Sequence, residues 1–282
     1  MVASIIITTK DRPELLKRAL RSALNQTYKE YEIICVDDYS DNWEEPFFNE
    51  RVFWVRHETN KGLSAARNTG IKAAKGEYIV CLDDDNELMP TFLEKALQAI
   101  GDYDAVSVGR VIQYKDFSDY VVPHLNKLSS IDWGWLIKKK VFDEIQYDEN
   151  MRANEDTDFG IQFFKRFKAV QLNEPLTIAY DSENPKESLS FPSARELDGM
   201  MYFFKKNFHE YDDPKEKWCL YRLLGRKFYR GGFRLEGIGF FVKAFWVHKT
   251  PRSLAHLFFI ILGWTVYDKF MTFEEKLASK LR

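Results

Sequence analysis

The chain has 282 residues, enough to bury a full core, and its patterning points to one large domain with an appendage rather than a single domain. Hydrophobic residues at 45%, charged residues at 30% and a formal net charge of -2 describe an ordinary globular protein and exclude a general nucleic-acid binder, so no nucleic-acid partner is expected. Three scattered cysteines exclude a disulfide framework and a cysteine zinc site and suit a reducing cytoplasm, while the 23 Phe, 14 Tyr and 7 Trp, many in the last third, mark the one unusual feature of the composition.

The first apolar run, 4–9, lacks the basic start and the small-residue cleavage site of a signal peptide and reads as a strand. A helix follows from Pro13, a residue suited to the first helical position, with Leu15, Leu16, Ala19, Leu20, Ala23 and Leu24 on one face. Further strands are expected at 31–36, 51–56, 77–82 and 105–111, with a helix over 63–74 that stops at Gly76. Strands alternating with amphipathic helices form βαβ units around a parallel sheet, and near-continuous apolar strands imply burial on both faces. From 112 to 190 the pattern is less regular: Trp133-Gly134-Trp135 comes first, then Asn154-Glu155-Asp156-Thr157-Asp158 opens a helix. From about 192 three or more helices are expected, separated near Asp212-Asp213-Pro214, Gly231-Gly232 and Thr250-Pro251. The expected organisation is a catalytic domain over 1–190 and a helical region over 191–282.

Ligands of an open parallel sheet bind beyond the carboxyl ends of its strands, and acidic residues collect there. Asp11 follows the first strand, Asp37 and Asp38 end the second, and Asp83, Asp84 and Asp85 end the fourth expected in the domain. Two readings fit the last group: a compensating hard cation, magnesium or manganese, or a solvated turn. Lys61 and Arg67 flank a helix N-terminus that suits a diphosphate, although taken alone a capped surface helix is the better account of them. The acids after Asn154 fit either a first helical turn or a base for a hydroxyl nucleophile. No Walker loop and no G-x-G-x-x-G occurs.

In combination these segments resemble the family-2 glycosyltransferases of the GT-A fold, over roughly the first 180 residues. The resemblance is carried by Ser4-Ile5-Ile6-Ile7-Thr8-Thr9-Lys10-Asp11-Arg12-Pro13, Gln26-Thr27-Tyr28, Glu32-Ile33-Ile34-Cys35-Val36-Asp37-Asp38-Tyr39-Ser40-Asp41, Gly62-Leu63-Ser64-Ala65-Ala66-Arg67-Asn68-Thr69-Gly70, Gly76-Glu77-Tyr78-Ile79, Leu82-Asp83-Asp84-Asp85-Asn86-Glu87-Leu88-Met89-Pro90 and Glu155-Asp156. It implies an α/β, GT-A-like fold: a mostly parallel nucleotide-binding sheet flanked by helices, with a C-terminal helical appendage. It assigns Asp83 and Asp85 to a manganese or magnesium ion and the donor diphosphate, with Asp84 between them, and Asp37 and Asp38 to the base or ribose. Thr9, Asp11 and Arg67 would line the nucleotide pocket and Asp156 would be the base, with Glu155 the competing candidate. Tyr39 stands where the family often has glycine, and the segment around Trp133 and Trp135 is variable in the family.

The function so implied is inverting transfer of a sugar from a nucleoside diphosphate sugar, a UDP-sugar first, to a glycan or lipid-linked acceptor in surface polysaccharide or glycolipid assembly. Trp133 and Trp135 offer faces for acceptor stacking or pack in the core. The alternatives are a sugar-nucleotide nucleotidyltransferase, which should carry a glycine-rich loop after the first strand, and a catalytically inactive carbohydrate-binding relative, which should lack an acidic motif. Eight Lys or Arg against the single acid Glu236 over 222–252, interleaved with aromatics, suggest a cytoplasmic protein held peripherally on an anionic membrane; the apolar run 257–266 is too short to span one.

Overall fold

The structure is a computed structural model that describes residues 2–41, 43, 49–114, 117–122, 125, 126, 128–180 and 194–271. It divides into two compact units, Met1–Glu187 and Ser188–Arg282. The expected boundary at 190/191 lies outside the described residues.

All five expected strands form, and each does so for a legible reason. Strand β1 (Ala3–Thr9) leads into helix α1 (Pro13–Leu24), followed by β2 (Tyr31–Asp37), β3 (Val52–Arg56), helix α2 (Leu63–Ala73) and β4 (Tyr78–Asp83). Strands β1 and β2 are buried along their whole length. Alternate side chains feed two cores, with Ala3, Ile5 and Ile7 on the side of α1 and Ile6 on the side of α2, as the two-residue strand period requires. Helix α2 ends at Ala73 with Ala74 extended, so Gly76 is not its stop signal. Gly76 is instead a close approach: a Cβ there would lie 2.6 Å from the backbone of Ala3, a contact only glycine permits.

The irregular middle of the chain adds β5 (Glu87–Leu88), α3 (Phe92–Ala99), β6 (Ala105–Gln113), β7 (Ser118–Val121), β8 (Leu136–Lys138), α4 (Val141–Glu144), α5 (Glu155–Phe164) and β9 (Ala169–Tyr180). The sheet runs β3-β2-β1-β4-β8-β6-β9-β5, with β7 on β6. Strands β3, β2, β1 and β4 are mutually parallel, as are β6 and β9. The three-residue β8 joins these halves antiparallel to both β4 and β6. The structure is therefore of the expected α/β class, with a mostly parallel sheet flanked by helices and helices at the C-terminal end.

The second unit contains α6 (Ala194–Asn207), α7 (Pro214–Arg230), α8 (Arg234–Val247) and α9 (Pro251–Ile261). The breaks are those marked in the sequence. The Asp213 carboxylate accepts from Lys215 N at the start of α7, and Thr250 forms a capping box with Ser253 at the start of α9, each followed by proline at the first helical position. Phe241, Ile260, Tyr267 and Met271 form a buried cluster of this unit.

Candidate active site

Register alone gathers the site. Thr9 at the end of β1 pairs with Asp37 on β2, and Thr8 pairs with Asp83 on β4, so the carboxyl ends of three parallel strands deliver Thr9, Asp37-Asp38 and Asp83-Asp84-Asp85 to one edge.

Three arginines organise the Asp83–Asp85 cluster: Arg12, Arg18 and Arg67. Thr9 Oγ1 donates to Asp84 Oδ2 at 2.7 Å, and Arg12 Nη1 forks between Asp84 Oδ1 at 3.2 Å and Asp85 Oδ2 at 3.3 Å. Burial pushes the Asp84 carboxyl up to about 6 against the opposing pull of Thr9 and Arg12. The Asp85 carboxyl is also raised, by burial first and by the charge of Asp83 second. Arg18 donates to the Asp85 carbonyl at 2.6 Å and stacks its guanidinium 3.7 Å over the Tyr180 ring.

Arg67, expected to bind an anion at the α2 N-terminus, has a different immediate partner. Its side chain is 3% exposed, with Nη2 2.8 Å from Asp83 Oδ1 and Nη1 2.9 Å from Glu155 Oε1. Burial opposes its charge, but Asp83, Tyr147 and Glu155 outweigh burial and hold the guanidinium well above its ordinary value. Arg67 thus ties the end of β4 to the start of α5. Glu155 is engaged by that contact, which separates it from its neighbour Asp156.

Asp156 sits in the first turn of α5, where the helix dipole alone would favour its ionised form. Burial overrides the dipole. It pushes the Asp156 carboxyl up to about 6, with the charges of Glu155 and Asp132 adding to the effect. Asn154 stands at the N-cap with φ 59° and makes no side-chain cap, contrary to the simple capping reading. The Asp156 carboxylate accepts from Thr157 N at 2.7 Å instead, and Ile131 N donates to the Asp156 carbonyl at 3.1 Å, docking α5 on the 129–132 segment.

That segment carries a pair the sequence did not single out. Arg110 on β6 makes a bidentate pair with Asp132, 2.8 and 2.9 Å, and lies 4.8 Å over the Trp133 ring. Burial opposes the Arg110 cation, but Asp132, Asp83 and Asp156 together raise its pKa, which places its charge within reach of both acidic groups. Arg12, Arg18, Arg110 and Asp132 carried no motif signal beyond the position of Arg12 beside Asp11.

Several expected contacts take other forms. Asp37 is 0% exposed and accepts from Ser40 N at 3.1 Å, with Arg56 Nε 3.3 Å away. Asp38 accepts from Lys61 N at 2.8 Å and Gly62 N at 2.7 Å and meets His57 Nδ1 at 2.8 Å. Asp38 therefore ties down the loop ahead of α2, and Asp37 holds the turn that follows β2. Asp11, at φ 56°, accepts from Asp41 N at 2.8 Å and pairs with Lys10, which together hold its carboxyl below the usual range. Tyr39 adopts φ 68°, the left-handed conformation a glycine would take freely, with its ring 44% exposed. Trp135 is 2% exposed and packs edge-on against Phe164, and Trp133 is 6% exposed beneath Arg110, so both tryptophans serve the core and offer no free stacking face.

Residues 4–169, more than half of the chain, match Glycosyl transferase family 2. The chain is 26% identical over 250 residues to WcaA of Escherichia coli (strain K12), described as a colanic acid biosynthesis glycosyl transferase, covering 78% of this chain and 86% of WcaA. It is 29% identical over 224 residues to the poly(ribitol-phosphate) beta-N-acetylglucosaminyltransferase TarP of Staphylococcus aureus (strain N315), 71% of this chain and 68% of TarP. The crystal structure of S. aureus TarS 1-349 in complex with UDP-GlcNAc superposes with a TM-score of 0.61 at 17% identity over 99% of this chain and 92% of that one, a likeness of fold that is GT-A-like. A longer TarS structure is covered over 50% of its length, with a TM-score of 0.59.

Proposed function

Because the chain belongs to glycosyl transferase family 2, we propose that it transfers a sugar, with inversion, from a nucleoside diphosphate sugar to an acceptor hydroxyl of a surface polysaccharide or glycolipid. A uridine donor is favoured by the neighbour solved with UDP-GlcNAc, and a polymeric or lipid-linked acceptor by the names of WcaA and TarP. The observation that carries the reading is the Arg67 bridge, which brings the Asp83 end of the sheet and the acidic start of α5 to one site. Family membership sets the nucleotidyltransferase alternative aside.

Asp156 acts as the base. A carboxyl with a pKa of about 6 is ionised near neutral pH yet basic enough to accept a proton. As the acceptor O–H bond breaks, its proton passes to Asp156, the oxygen bonds to the anomeric carbon, and the carbon–oxygen bond to the diphosphate breaks on the opposite face. Arg67 and Arg110 keep positive charge beside Asp83 and Asp156 and steady the site as negative charge moves to the leaving group.

The donor set fits a hard divalent cation, manganese or magnesium. Asp83 and Asp85 supply carboxylate oxygens; burial raises the Asp85 carboxyl first and the charge of Asp83 adds to it, a repulsion that a cation would relieve. Among the described residues no three His, Cys, Asp or Glu side chains gather into a cage; an ion here would share its coordination with substrate phosphates. Such an ion would neutralise charge on the departing diphosphate. The protein would work in the cytoplasm.

The test is release of nucleoside diphosphate from a panel of UDP-, GDP- and dTDP-sugars with manganese present. Release by the wild type that Asp156→Asn abolishes supports the reading; no release from any donor, with or without acceptor extracts, contradicts it.

A further inference from the structure

Helices α8 and α9 each carry two apolar faces, only one of which is used within their own unit. On α8, Gly237, Phe240, Phe241 and Ala244 are buried, while Leu235, Val242 and Trp246 align on the opposite face at 82%, 37% and 64% exposure. On α9, Ser253, His256 and Ile260 are buried, and Leu254, Phe258 and Ile261, with Leu262 just beyond, face outward at 53%, 56%, 59% and 53%. A helix packed by one face ordinarily presents polar residues on the other. The outward face of α9 has no charged residue.

The charge in this part of the chain is predominantly basic. Over 222–252 the sequence has eight Lys or Arg and one acid, Glu236, and Lys227 is paired with Glu196 of α6. Lys249 is held 4.6 Å from the Trp246 ring and Arg230 5.6 Å from the Trp264 ring, so each of these cations sits beside an aromatic ring. No helix among the described residues is long and apolar enough to cross a membrane. A second copy of this chain is a poor occupant, since a two-fold contact would set like charges against each other. An anionic surface that accepts apolar side chains is complementary in both respects.

We propose that α8 and α9 dock this protein on an anionic lipid surface. Leu235, Val242, Trp246, Leu254, Phe258 and Ile261 enter the boundary between headgroups and acyl chains, and the flanking lysines and arginines meet lipid phosphates. The contact is peripheral and salt-sensitive, and it would hold the enzyme where a lipid-linked acceptor resides.

The full chain is sedimented with phosphatidylcholine vesicles and with vesicles that also contain phosphatidylglycerol, at low and high salt. Binding is expected to the anionic vesicles only, to fall with salt, and to weaken by about tenfold or more in Leu254→Glu/Phe258→Glu. Both positions are more than half exposed, so the variant should keep the wild-type circular dichroism spectrum and melting temperature. Trp246→Glu gives an independent second reading. Equal recovery on neutral and anionic vesicles, undiminished binding of the variants, or wild-type self-association that the variants abolish would overturn the proposal.

Discussion

Replacing Asp156 by Asn separates a catalytic base from a helix-start residue, because the two roles move stability in opposite directions. The Asp156 carboxyl is raised from its ordinary 3.8 to about 6, first by burial and then by Glu155 and Asp132. A folded-state pKa above the unfolded one means that the neutral form is the one the fold favours. That stability is fully present below about pH 4 and is lost as the pH rises through about 6. The difference corresponds to at most about 3 kcal/mol by pH 8. Asn keeps the oxygen that accepts from Thr157 N and carries no charge. The variant should therefore be more stable than wild type at pH 8 by up to about 3 kcal/mol, and no more stable at pH 4, by urea unfolding across that range. Its turnover should fall by about two to four orders of magnitude with nucleotide affinity nearly unchanged. Wild-type kcat/KM should fall with acid below about pH 6. A variant that is less stable at pH 8, or that transfers sugar at close to the wild-type rate when chemistry limits turnover, would refute the assignment.

Removal of the Arg67 cation by Arg67→Met leaves Asp83 and Glu155 without their shared partner and should cost about 3–5 kcal/mol in denaturant unfolding; an unchanged midpoint would deny the bridge. Asp38→Ala orphans the Lys61 and Gly62 amides and should cost about 1–3 kcal/mol, with faster hydrogen exchange at those amides. Unchanged stability and unchanged exchange at those amides would deny that role. Trp135→Ala should cost about 3–5 kcal/mol by thermal or chemical unfolding and leave acceptor KM unchanged in the surviving folded enzyme.

What could be read from the sequence follows from how local each signal is. The strand at β1 is legible because an unbroken apolar run buried on both faces has no other common explanation. The helix starts at Pro13, Pro214 and Pro251 are legible because proline at that position costs no hydrogen bond. Strand β9 is not, since Pro175 interrupts it at a bulge where the register with β6 shifts around Gly109. The same bulge hides the orientation of Arg110, because side-chain alternation cannot be extended through an irregular register. The acidic ends of β2 and β4 were visible, but which partner each acid takes was not. Arg67 and Glu155 are 88 positions apart, and Asp38 is captured by amides of a loop that only the folded chain brings near. At Asp156 the sequence carries the dipole effect, whereas the larger burial effect exists only after folding.

The claim that Asp83 and Asp85 anchor a nucleoside diphosphate through a divalent ion is tested most directly by thermal shift with UDP, GDP and dTDP, each with and without manganese, on wild type and Asp85→Ala. Asp85 is 44% exposed at its side chain, so its loss should leave the fold intact. Ligand binding raises the melting temperature by mass action. The expected result is a rise with UDP that requires manganese in the wild type and disappears in Asp85→Ala. Equal shifts in wild type and variant, or a shift indifferent to manganese, would contradict it.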